Sequence, residues 1–171
     1  MKKVLPLEYI SKLDSTIPKD FSDRACGVIC IAMILRTEKK NFGTIDNLIK
    51  QGRSLEAYIE GVGWRHLGLL RLLSEYDIDS RLREYKKVGE DYEKSFTQNI
   101  TKNKKIIVSV SAGFGKNNSS HLIVVHGFET DEHGEVILWL VNDSSSESFR
   151  EEWVGAEYFK NYFRRLAIIV G

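Results

Sequence analysis

Asp20-Phe21-Ser22-Asp23-Arg24-Ala25-Cys26-Gly27-Val28-Ile29-Cys30-Ile31-Ala32-Met33-Ile34-Leu35-Arg36 runs from a polar, turn-prone segment straight into an apolar one. Ser22 or Asp23 is a suitable N-cap, so the stretch predicts a helix reaching Arg36 with Cys26 in its first turn. Val28, Ile29, Ile31, Ala32, Ile34 and Leu35 surround that helix with apolar side chains, which places it in the interior. A thiol at a helix N-terminus meets unpaired N–H groups and the positive end of the dipole, both of which favour the thiolate. Cys26 is therefore the candidate nucleophile. Cys30, one turn deeper among apolar neighbours, reads as a small core residue.

Upstream, residues 1–19 read as an irregular lead-in ending near Pro18. Downstream, Thr44 can cap a short helix through Ile45, Leu48 and Ile49, and Ser54 another through Leu55 and Tyr58, before a break at Gly61-Val62-Gly63. Leucines between Trp64 and Tyr76 predict a further helix. After a short strand near Ile78–Leu82 and a polar helix over Tyr92–Thr101, the pattern changes. Ile106–Val110, His121–Phe128, Val136–Asn142 and Leu166–Val170 are rich in β-branched residues and read as strands, and Glu151–Tyr162 reads as a helix. Helices first and an antiparallel sheet second give an α+β fold, expected as one domain over residues 1–171.

Composition narrows the function. With 25 basic and 24 acidic residues and a net charge of +1, the chain offers no field to attract nucleic acid or an anionic membrane. It carries no apolar run long enough to span a membrane, and a cytoplasmic location is expected. Two cysteines four apart suit neither an unstrained disulfide nor a zinc site, and no metal or organic cofactor is expected.

A nucleophilic thiol needs an imidazole and a group that orients it. Of the four histidines, His66 falls in a helix, His133 in a turn and His126 inside a strand. His121 stands where the polar stretch Gly113–Ser120 enters a strand, which combines access with rigid support. The strands His121–Glu129 and Glu135–Asp143 are joined by a five-residue turn and most simply form a hairpin. If Glu129 pairs with Glu135, His121 falls opposite Asp143, on the same face. A slip of one residue would bring Asn142 alongside instead. A carboxylate there can fix the imidazole tautomer and stabilise the imidazolium.

These residues resemble a known family. Cys26-Gly27-Val28-Ile29-Cys30-Ile31-Ala32-Met33 is similar to the Cys-Gly-x-Ala-Cys-x-Ala-Met helix of the bacteriocin-processing cysteine peptidases, cysteine peptidase family 39. His121–Phe128 resembles that family's histidine strand, and Val141-Asn142-Asp143 its Asp-bearing strand end. The resemblance implies a papain-like fold and acyl transfer from a peptide or protein substrate to Cys26, with His121 as base and then acid and Asp143 orienting it. In transporter-linked members the substrate is a leader peptide cut after a double glycine. The chain departs from the family at the oxyanion-hole position six residues before the cysteine, where Asp20 replaces glutamine, and Ala25 stands where an acidic residue is frequent. A catalytically silent domain that holds a peptide in the groove is the alternative that Asp20 raises.

Overall fold

The computed structural model describes residues 1–85, 91–111, 120–145 and 150–171. The polar stretch from Gly113 to Ser119 lies outside them. The chain runs β1 (Lys2–Val4), a 3-10 turn (Ser22–Arg24), α1 (Cys26–Thr37), α2 (Ile45–Ser54), β2 (Tyr58–Ile59), β3 (Gly63–Trp64), α3 (His66–Ser74) and β4 (Ser80–Glu84). It continues α4 (Tyr92–Thr101), β5 (Lys105–Ser111), β6 (Ser120–Thr130), β7 (Val136–Asn142), β8 (Glu152–Gly155), α5 (Ala156–Tyr162) and β9 (Phe163–Val170).

The main sheet has the order β4-β9-β5-β6-β7-β8, all antiparallel, with β1 also on β6. At 11 residues β6 is long enough to serve two neighbours on one edge: β5 along its first half and β1 beyond Gly127. Its Leu122-Ile123-Val124-Val125 run is apolar without alternation because both faces are covered. Leu122 and Val124 meet α1, α2 and α3 in one core, while Ile123 and Val125 join Phe96 of α4 and Phe159 of α5 in the other. α1 packs directly on β6 and is buried from Gly27 to Leu35. Among the described residues no helix is long and apolar enough to cross a membrane.

Four local readings change. Residues 2–4 form a strand, which is too short to announce itself without its partner on β6. Ser54 ends α2 rather than capping a helix, and Tyr58 starts a two-residue strand paired across the Gly61–Gly63 turn with Trp64. The early part of Glu151–Tyr162 is strand β8 on β7, and the helix starts only after Gly155. The strand expected at Ile78–Leu82 lies two residues later, at Ser80–Glu84.

The β6–β7 register also differs. The turn closes where the Asp131 amide donates to the Glu135 carbonyl (2.9 Å), and the Asp131 carboxylate accepts from the His133 and Glu135 amides, both at 2.9 Å. Thr130 therefore pairs with Val136 and Glu129 with Leu138, and a bulge lies between Val125 and Gly127. Carried outward from Val124↔Asn142, this register puts His121 diagonal to Asp143 rather than opposite it. A displacement by two residues preserves the face, so the two side chains still meet.

Candidate active site

Cys26 is the first residue of α1 and is half-buried. Neither Ser22 nor Asp23 caps the helix. The Ser22 hydroxyl donates to the Lys19 carbonyl (3.2 Å), the Asp23 carboxylate pairs with Lys12 (3.0 Å), and Ala25 occupies the N-cap with no side-chain hydrogen bond. The first-turn amides of α1 lack intrahelical partners by geometry and surround the Cys26 end with partial positive charge.

The β2–β3 hairpin holds this helix start in place. The Trp64 indole N–H donates to the Arg24 carbonyl at 2.6 Å, and the Arg24 guanidinium pairs with Glu60 on the hairpin tip. Trp64 packs edge-on to Tyr58, which does the same with Phe21. The indole presses so closely on α1 that a Cβ at position 27 would lie 2.5 Å from Trp64 Cγ, which accounts for glycine after the cysteine.

His121 comes from the start of β6, its side chain 12% exposed, and Asp143 from the end of β7, with 3% exposed. The His121 Nε2–H donates to Asp143 Oδ1 at 2.6 Å, and Cys26 lies close enough to the ring to raise its pKa. With Nε2 engaged, Nδ1 is the nitrogen left for the thiol. Asp143 Oδ1 also accepts from the Ser145 amide (2.8 Å) and hydroxyl (2.7 Å). The loop is tied to the lead-in by the Lys12 amide on the Ser144 carbonyl (2.9 Å) and the Tyr9 hydroxyl on the Asp143 carbonyl (3.3 Å).

These contacts set the charges. Burial works against an imidazolium at His121, but the Asp143 hydrogen bond and the neighbouring Cys26 outweigh it and push the pKa up to about 10. Burial likewise opposes a charged Asp143, yet His121 and Ser145 hold its carboxyl below the usual range. His121 thus titrates above its ordinary 6.5 in the folded chain, so its stabilisation is complete below about pH 6.5 and is lost as pH rises through about 10. In urea unfolding, the stability gap between wild type and His121→Gln is expected to be wide near pH 6 and to narrow toward about pH 10; a gap that widens with pH would contradict this.

The other polar candidates have other surroundings. Cys30 is buried with its thiol on the Leu122 carbonyl (3.4 Å), and burial pushes its pKa well up. His126 sits at the β6 bulge and donates from Nδ1 to the Leu5 carbonyl (2.8 Å). His133 is exposed beside Glu132. His66 lines a cavity next to Cys26. Asp20 is exposed; its backbone carbonyl accepts from Arg24 (2.7 Å), and it is absent from the described walls of both cavities beside Cys26.

Those cavities flank the thiol. One, about 340 Å³, lies toward the β2–β3 hairpin, and the other, about 290 Å³, is walled by Lys12, Ser22, Asp23, His121, Ser144 and Ser145. Cys26 borders both, so the thiol lies between two recesses of the surface. A sequence profile of the Peptidase_C39 like family matches residues 4–167. The chain belongs to that family.

No curated protein sequence matches the chain. Solved structures do. A C39-like peptidase from Bacillus anthracis superposes with TM-score 0.69 at 15% identity, covering 100% of this chain and 98% of that one. The peptidase domain of Streptococcus ComA, a bifunctional ABC transporter involved in quorum sensing, gives 0.62 at 16% identity, covering 99% and 97%. A double glycine motif protease from an AMS/PCAT transporter, solved with its leader peptide, gives 0.62 at 15% identity, covering 98% and 93%. At these identities the likeness is one of fold: the C39-like chain has the papain-like peptidase architecture, helices and an antiparallel sheet with the cysteine helix between them. Ser145, Trp64 and Tyr9 are the site-forming residues that the sequence left unmarked. Only the serine-rich run after Asp143 hinted at one of them.

Proposed function

We propose that this C39-like chain is a cysteine peptidase acting on a peptide or protein substrate in the cytoplasm, where two free thiols are ordinary. The observation that carries this reading is that Cys26 and His121 share one cavity wall while His121 is bonded to the buried Asp143 behind it. An imidazolium at His121 favours a thiolate at Cys26. The thiolate attacks the scissile carbonyl carbon, forming a C–S bond as the carbonyl π electrons move to oxygen. His121 gives its proton to the leaving amine nitrogen as the C–N bond breaks, leaving a thioester on Cys26. A water then gives His121 a proton, adds to the thioester carbonyl and releases the acid, and Cys26 leaves as thiolate. Asp143, held by Ser145, keeps Nδ1 toward the thiol.

Charge develops on the carbonyl oxygen, and the Cys26 amide is a donor that the helix start supplies. At Asp20 a carboxylate stands where the family has an amide donor, with Arg24 offsetting its charge. The silent peptide binder is the second reading, favoured by this residue alone. Restoring the amide in Asp20→Gln is expected to raise kcat by about 100-fold with little change in KM, the inverse of removing one oxyanion donor. The reading as a whole is tested by incubating the protein with a mixed peptide library and following products by mass spectrometry. Hydrolysis that stops when Cys26 is alkylated supports it; no hydrolysis by either wild type or Asp20→Gln rejects it in favour of the binder.

A further inference from the structure

We infer that the cavity on the hairpin side of Cys26 receives a large apolar or aromatic side chain of the substrate, next to the scissile bond, in place of the glycine that a double-glycine protease takes. This rests on the peptidase reading for its link to cleavage, but the pocket can be tested by binding alone. Among the described residues, Tyr58, Val62, Trp64 and Leu122 supply an apolar wall, with Cys26 and His66 beside them. The volume, about 340 Å³, exceeds twice the roughly 150 Å³ that accommodates benzene in a protein interior. A glycine would leave nearly all of that space to water. A ring or branched aliphatic chain would bury apolar surface on both sides.

The charges at the mouth argue for a neutral occupant. Asp23 is paired with Lys12 at 3.0 Å, and Glu60 is shared by Arg24 and Arg53, the latter at 3.8 Å. Burial lowers the His66 pKa below its ordinary value, so this ring too is neutral at physiological pH. What remains unpaired at this wall is the buried His66 Nε2, beside apolar area that adjoins the thiol. The walls are also braced. The Trp64 indole is fixed to Arg24, and Gly52 makes room for its far edge, where a Cβ would lie 2.7 Å from Trp64 Cζ3. A pocket with a fixed wall selects by size.

The test uses the full chain carrying Cys26→Ala and dansylated Ala-Ala-X-Ala-Ala-Lys peptides with X as Gly, Leu, Phe or Trp. Fluorescence anisotropy is expected to give at least about ten-fold tighter binding for Phe and Leu than for Gly, the effect of burying one such side chain. Val62→Trp, on a hairpin residue 76% exposed, fills the mouth and should shrink that preference to below about three-fold. Ser120→Leu, from the opposite wall, should act the same way without touching the hairpin. Equal binding of Gly and Phe peptides, a preference that survives in both filled variants, or no binding by any peptide overturns the inference. Wild-type hydrolysis of the same peptides separates it from the peptidase reading. Preference with no hydrolysis by wild type or by Asp20→Gln removes the enzyme and keeps the pocket; hydrolysis without preference does the reverse.

Discussion

Replacing Cys26 by alanine is expected to lower peptide hydrolysis by at least about 10,000-fold while leaving the protein folded. The size follows from the role: without the sulfur no thioester forms, and what survives is binding and whatever stabilisation the groove gives a direct attack by water. The fold should barely respond, because Cys26 is half-buried at the first position of α1, where alanine suits the helix at least as well. Progress curves on a peptide that wild type cleaves, with circular dichroism on the same samples, check both halves. Cys30→Ala is the matched comparison. It removes a buried sulfur from the core one turn away, so it should cost stability and leave the chemistry of Cys26 in place.

The second large effect is at His121. Alanine there is expected to reduce kcat by about 1,000-fold or more, since the thiol loses its proton acceptor and the leaving amine its proton donor. This variant also disturbs the fold. Asp143 is buried, and without His121 its carboxylate keeps, among the described residues, only the Ser145 donors, which should cost about 1–3 kcal/mol. The two consequences separate in the double variant His121→Ala/Asp143→Asn. Removing the stranded charge should recover part of the stability lost in His121→Ala, measured by urea unfolding, and none of the activity. Recovery of activity together with stability would reduce His121 to a support for the fold.

How far the chain could be read depended on where each segment finds its partners. α4 was legible to the residue because Tyr92, Phe96 and Ile100 recur at helical spacing and Asp91 caps it, accepting from the Lys94 amide at 2.8 Å. α1 was legible in its extent and burial, but not in its start. Ser22 and Asp23 have the chemistry of caps, yet they are taken by Lys19 and Lys12, so the helix begins at Cys26. β1 was hidden because it exists through pairing with β6, far away in sequence, and β8 because its four residues are too short to signal a strand apart from the ladder on β7. Glu151–Tyr162 shows apolar spacing that fits a helix, and only the ladder of β8 on β7 decides otherwise.

The candidate site was legible for an unusual reason. The expected β6–β7 register was off by two residues, set by hydrogen bonds of Asp131 that the turn sequence alone did not reveal. An odd error would have turned His121 and Asp143 to opposite faces, whereas the even one left them bonded at 2.6 Å. What stayed hidden are the residues that hold others in place. Ser145 acts through Asp143, Tyr9 through the backbone of the same loop, and Trp64 through Arg24. None carries chemistry of its own to mark it, and each depends on contacts that form only when α1, β6 and the β2–β3 hairpin assemble.

The central claim is that Cys26 and His121 work as one unit, and the rate of Cys26 alkylation by iodoacetamide tests it most directly. Measured near pH 6 by intact-mass spectrometry, wild type should react at least about ten-fold faster than His121→Ala, because a positive imidazolium beside the sulfur promotes its attack and alanine supplies no such charge. Equal rates in the two proteins at that pH, with both folded, would contradict the account.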